Sequence, residues 1–166
     1  MLYVDADALS KLAHWNILPL LPELTGYQWH EIATISSLKH RANRAQEKPD
    51  GKLFISIEAA RVASVCISNM GQMPNPNEEV MAALAESEQI DSGEALLLAV
   101  ASTDAKGCIL TGDKRALRAL ALHGCASIFV GTILVIEQII FECLQVKGRE
   151  WILENICPYK NVDKAI

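Results

Sequence analysis

The stretch GCILTGDKRALRAL, residues 107–120, decides the fold. Cys108-Ile109-Leu110 is a short apolar run, Thr111-Gly112 closes it, and a carboxylate follows at Asp113 before the helical pattern of 114–122. A buried strand that ends on glycine and an acid has two explanations. Asp is a good N-cap, because its carboxylate accepts a hydrogen bond from the first orphan N–H groups of a helix. In α/β sheets, working residues also gather just past the carboxyl ends of parallel strands.

Working outward, Leu2-Tyr3-Val4 is a second such run, closing on Asp5. Helices are expected over 8–18, from about 35 to Gln46, over 53–68, 78–88, 92–102 and 114–122, and through a C-terminal third that includes 132–147. Further strands are expected within 27–34 and at Ser127-Ile128-Phe129-Val130. Residues 47–51 and 71–77 read as turn and loop on their prolines and glycines. ALLLAVA, 95–101, is apolar nearly all round and therefore buried. Helix alternating with short apolar strand predicts α/β, with a short central parallel sheet and helices on both faces in three layers.

Composition narrows the function. The 166 residues are most simply one domain. Hydrophobic content of 51% with mean hydropathy of +0.18 suits a dense core rather than disorder. No window reaches the ~18 to 20 apolar residues of a membrane span, and MLYVDAD has no basic leader region, so a cytoplasmic location is expected. Five cysteines without CxxC spacing favour reduced thiols over a disulfide framework or zinc site. A net charge of −5 argues against a strongly basic nucleic-acid binder and leaves room only for a local patch.

Three acids need weighing together. Asp5 and Asp113 follow parallel strands and so emerge on one sheet edge. Glu94 opens the buried helix of IDSGEALLLAVA, where Asp91 and Glu94 also have the spacing of a capping box. Carboxylates ~4 Å apart repel by roughly 4 kcal/mol per pair at an effective dielectric near 20, a cost that a cation removes. Oxygen donors without histidine or cysteine point to Mg²⁺ or Mn²⁺, and metal-activated water attacking a phosphodiester is the chemistry they serve.

LYVDADAL, DSGEALLLAVA, ILTGDKRAL and HGCASIFVGTI, in that order and spacing, resemble a PIN domain over nearly the whole chain. The resemblance implies one PIN-like domain over 1–166, an α/β/α sandwich and a metal-dependent ribonuclease site. Carried over by position, Asp5, Glu94 and Asp113 are its catalytic and metal-holding acids, with Thr111 beside the last. The implied partners are RNA and an antitoxin-like protein. One position departs: the family's second acid belongs early in the helix after the second strand, and residues 32–46 contain none. Lys39 or His40 stands about there, a pattern that also suits a PIN-like module without catalysis.

That segment supplies the basic patch. Lys39, Arg41 and Arg44 are candidates for phosphate contact, with Lys114 and Arg115 better placed beside Asp113. A solvated helix face is the alternative for each of them. VDADAL also resembles the strand end of haloacid-dehalogenase-like phosphatases, with Asp5 as nucleophile and Asp7 as acid/base. Leu9 replaces the usual Thr or Val there, and Glu94 has no role in that scheme. Finally, Leu134, Ile136, Ile139, Ile140 and Cys143 spread over more than one face of 132–147, which predicts a homodimer or larger assembly.

Overall fold

The computed structural model describes residues 1–86, 90–113 and 132–159. Strands Leu2–Val4 (β1), Ile32–Ala33 (β2), Cys108–Thr111 (β3) and Thr132–Val135 (β4) form one sheet in the order β2-β1-β3-β4. All pairs are parallel: Leu2 aligns with Ile32 and with Cys108, Val4 with Leu110, and Cys108 with Thr132. The helices are Ala6–His14 (α1), Leu21–Thr25 (α2), Ser37–Ala45 (α3), Ile57–Asn69 (α4), Glu78–Ala85 (α5), Ser92–Ala101 (α6) and Ile136–Asn155 (α7).

Alternation along the strands sorts the core into two halves, as a period of two requires. Leu2, Val4, Ile32, Cys108 and Leu110 pack with α1, α2, α3, α4 and α7. Tyr3, Ala33 and Ile109 pack with Leu84 of α5 and with Leu97, Leu98 and Val100 of α6. The protein is thus an α/β fold with an all-parallel sheet between two helical layers. Among the described residues no helix is long and apolar enough to cross a membrane. Cys66, Cys108, Cys143 and Cys157 carry free thiols. Cys125 lies outside the described residues.

Several element boundaries differ from the sequence expectation, for local reasons. α1 starts two residues early because Asp5, extended at φ −64° and ψ 152°, occupies the N-cap position; Asn16 at φ 56° then prevents continuation to residue 18. α4 starts at Ile57 rather than Leu53. The N–H groups of Lys52, Leu53 and Phe54 are taken by Asp50 Oδ1, and Ser56 Oγ accepts from the Ala59 N–H at 3.1 Å. Residues 132–135 are strand rather than the start of a helix, since β-branched Thr132, Ile133 and Val135 complete the pairing with β3. Gly148, at φ 83° and ψ 170°, divides α7 into two helical stretches in a conformation open to glycine. The expected helix 114–122 and strand 127–130 lie outside the described residues, as do the HGCASIFVG part of the last motif and the end of the 78–88 helix beyond Glu86.

The connection from α6 to β3 positions the site. A Cβ at Gly107 would come within 2.9 Å of the Asp104 carbonyl oxygen and 3.2 Å of the Ala101 carbonyl oxygen, so the reversal takes glycine. Because this short link feeds a parallel strand, α6 runs antiparallel to β3 and its first turn lies at the carboxyl edge of the sheet. The chain steps outward from β1 to β2, then returns past β1 to β3. The switch in winding direction therefore falls between β1 and β3, where open α/β sheets form their crevice.

Candidate active site at the carboxyl edge of the sheet

Asp5 extends β1 by one residue, its N–H donating to the Leu110 carbonyl at 2.9 Å. Side-chain alternation puts it on the Tyr3 side, towards α6. Thr111 follows Ile109 on the same side, and Glu94 stands in the first turn of the facing helix. The three meet: Asp5, Glu94 and Thr111 line a cavity floored by Leu97, Leu98, Ile109 and Ile133. Its volume is about 20 Å³, room for about one water-sized particle.

Burial dominates the electrostatics. Asp5 is 8% exposed. Loss of hydration pushes its carboxyl up from 3.8 to about 6; the N–H groups of Ala6 and Ala8 pull downward, while the charges of Asp7 and Asp91 push upward. Neither N–H closes a side-chain cap hydrogen bond of ordinary geometry, and burial outweighs their pull. Glu94 rises from 4.5 to about 7, first through burial and then through the charges of Asp91, Asp113 and Asp5.

The capping reading of Glu94 is correct as well. Its Oε2 accepts from the Asp91 N–H at 2.9 Å, while Asp91 Oδ1 accepts from the N–H groups of Gly93 and Glu94, each at 2.8 Å. One carboxylate both caps its helix and borders the cavity. Asp113 is placed differently: its N–H donates to Thr111 Oγ1 at 3.0 Å and its charge reaches Glu94, but it does not line the cavity.

Among the described residues no three His, Cys, Asp or Glu side chains cluster tightly enough to enclose a metal ion unaided. The donor set nevertheless fits a hard divalent cation. Mg²⁺ is commonly held by one or two carboxylates and keeps several waters, and here two carboxyl groups destabilised by burial share a water-sized cavity.

Other sequence candidates lie elsewhere. α3 leaves β2 at the carboxyl edge and runs back towards the opposite edge at ~1.5 Å per residue, carrying Arg44 about 10 Å from its start. Lys39, His40 and Arg44 are exposed, whereas Arg41 Nε is paired with Asp50 Oδ2. The Arg41 guanidinium thus braces the 50–54 loop from α3 while Arg44 is open to solvent. Lys114 and Arg115 lie outside the described residues. Asp7 does not line the cavity, although its charge reaches Asp5. It pairs with Lys11 at 2.7 Å, and a Cβ at Gly112 would stand 3.5 Å from its Oδ2. Sequence reading missed Thr34, whose buried Oγ1 donates to the Val4 carbonyl at 2.7 Å and ties β2 to the end of β1. It also missed Leu97 and Leu98 as cavity floor, although their spacing of three and four from Glu94 places them beneath it.

Comparison of the chain with protein-family models, with curated proteins and with solved structures finds no match.

Proposed function

We propose that the chain is a PIN-type, divalent-metal-dependent ribonuclease acting in the cytoplasm. The observation that supports this best is the shared cavity of Asp5 and Glu94 at the switch point between β1 and β3. A Mg²⁺ or Mn²⁺ ion held there would supply phosphate charge neutralisation and water activation. In this reading Asp5 and Glu94 hold the ion and Asp113 adds negative potential from the loop after β3. Thr111 carries a hydroxyl at the cavity, and the apolar floor excludes bulk water and strengthens every charge above it. Lys39 stands in the first turn of α3 and Lys114 and Arg115 directly follow Asp113 in sequence, which suits them to steering an RNA backbone.

A second reading is a PIN-like binding or assembly module without catalysis. Its support is specific: among the described residues two acids rather than three line the cavity, and the first turn of α3 presents Lys39 and His40 where a further acid would serve. An antitoxin-like protein partner and self-association fit either reading. Phe141, Val146 and Leu153 of α7 are exposed while Ile136, Ile139 and Cys143 fill the core. The haloacid-dehalogenase-like alternative is weakened, because Asp7 is paired with Lys11 and does not share the cavity with Asp5. Calorimetric titration with Mn²⁺ tests the proposal. Saturable binding lost in Asp5→Asn supports it, and absence of binding to the wild type at neutral pH refutes the metal site.

A further inference from the structure

At the far end of α1, remote from the acids, His14 is 4% exposed and makes two hydrogen bonds. Its Nδ1 lies 2.8 Å from the Ser10 carbonyl oxygen, and its Nε2 lies 3.2 Å from the Ile55 backbone nitrogen. The Ile55 N–H can only donate, so Nε2 is the acceptor and Nδ1 carries the proton. The ring is neutral in this arrangement.

The segment it holds is organised by bonds of another kind. Asp50 Oδ1 accepts from the N–H groups of Lys52, Leu53 and Phe54, Asp50 Oδ2 pairs with Arg41 of α3, and Ser10 Oγ donates to the Leu53 carbonyl. Phe54 is fully buried. Protonation of His14 would place an Nε2–H donor against the Ile55 N–H donor and a charge in a buried site. We propose that His14 is a proton-operated tie, which fastens the Ile55 end of the 50–56 segment to α1 when neutral and releases it when charged.

The surroundings set the sign. Burial lowers the imidazole pKa below 6.5, outweighing the opposing effects of the Ser10 carbonyl and the Asp50 charge. Asp50 is the acid facing the ring from the loop, and it is itself held by Arg41 of α3. On α1, Lys11 is engaged with Asp7, and Glu58 and Arg61 of α4 are exposed. With the folded pKa depressed, the tie is intact above pH 6.5 and weakens as pH falls below it. The Asp50 carboxyl, held down to about 2 against burial by the Lys52 and Phe54 N–H groups and by Arg41, stays ionised throughout that window. Release is therefore confined to the Ile55 end.

Amide exchange on the full chain between pH 8 and pH 4.5, corrected for intrinsic rates, tests this. The Ile55 protection factor should fall about tenfold per pH unit below pH 6.5, then level off, because opening takes up one proton. Lys52, Leu53 and Phe54 should keep theirs, and His14→Gln should give an Ile55 profile that does not follow pH. A flat Ile55 profile in the wild type overturns the proposal. So does the same slope in His14→Gln, or loss in step with the Leu9 and Leu110 amides, which would show global unfolding. If His14→Gln does not fold, ring ¹⁵N shifts of the wild type at pH 8 decide: a proton on Nε2 refutes the tie, and one on Nδ1 supports it.

Discussion

Replacing Asp5 by Asn separates a carboxylate kept for function from one kept for structure. Asn has nearly the same shape and can still occupy an N-cap position. In the folded chain the Asp5 carboxyl titrates at about 6 against 3.8 when hydrated. A raised acid pKa means that the folded state binds its proton more tightly than the unfolded state does. The contribution of this group is therefore most favourable in acid and declines as pH rises from about 4 to about 6, with its full cost present at neutral pH. The rise corresponds to about 3 kcal/mol at most. Burying the Asn amide returns part of this, leaving a net gain of about 1–2 kcal/mol for Asp5→Asn at pH 7.5. In a chain of this size that is an increase of about 3–6 °C in Tm. Thermal unfolding in chelator should show this gain at pH 7.5 and little difference between the two proteins at pH 4. A variant less stable than wild type by the same margin at both pH values would refute the reasoning, because the carboxylate would then be a stabilising cap.

Three further outcomes are expected. Mn²⁺ should raise the Tm of the wild type but not of Glu94→Gln, and its Kd should weaken by about tenfold or more from pH 8 to pH 6, since the ligands must shed protons to bind metal; titration calorimetry at both pH values checks this. Asp50→Ala should lose about 1–2 kcal/mol in urea unfolding, by leaving three loop N–H groups without their acceptor. Phe141→Glu should leave the Tm within about 1 °C of wild type, as an exposed substitution, while light scattering shows less self-association.

Strands β1 and β3 of the parallel sheet were legible because each is a short apolar run and because Asp5 and Gly112-Asp113 punctuate their carboxyl ends. Glu94 was legible in both of its roles, since the capping-box spacing and the apolar helix behind it are local signals. What was not legible depended on long-range placement. Nothing near Arg41 in sequence announces that Asp50, nine residues on, takes its guanidinium. Thr34 carries no motif, and its role appears only once β2 lies beside β1. β4 was missed because TILV at 132–135 leads straight into α7, so strand and helix share one unbroken apolar run. The convergence of Asp5 with Glu94 followed from topology, whereas the offset of Asp113 from the cavity depends on the turn at Thr111, which spacing alone does not resolve.

The most direct measurement is cleavage of single-stranded RNA by wild type and Asp5→Asn, each in Mn²⁺ and in EDTA. The proposed site predicts cleavage by the wild type in Mn²⁺ only, and none by Asp5→Asn although it folds. Cleavage that persists undiminished in Asp5→Asn, or that survives EDTA, would contradict a metal site built on Asp5 and Glu94.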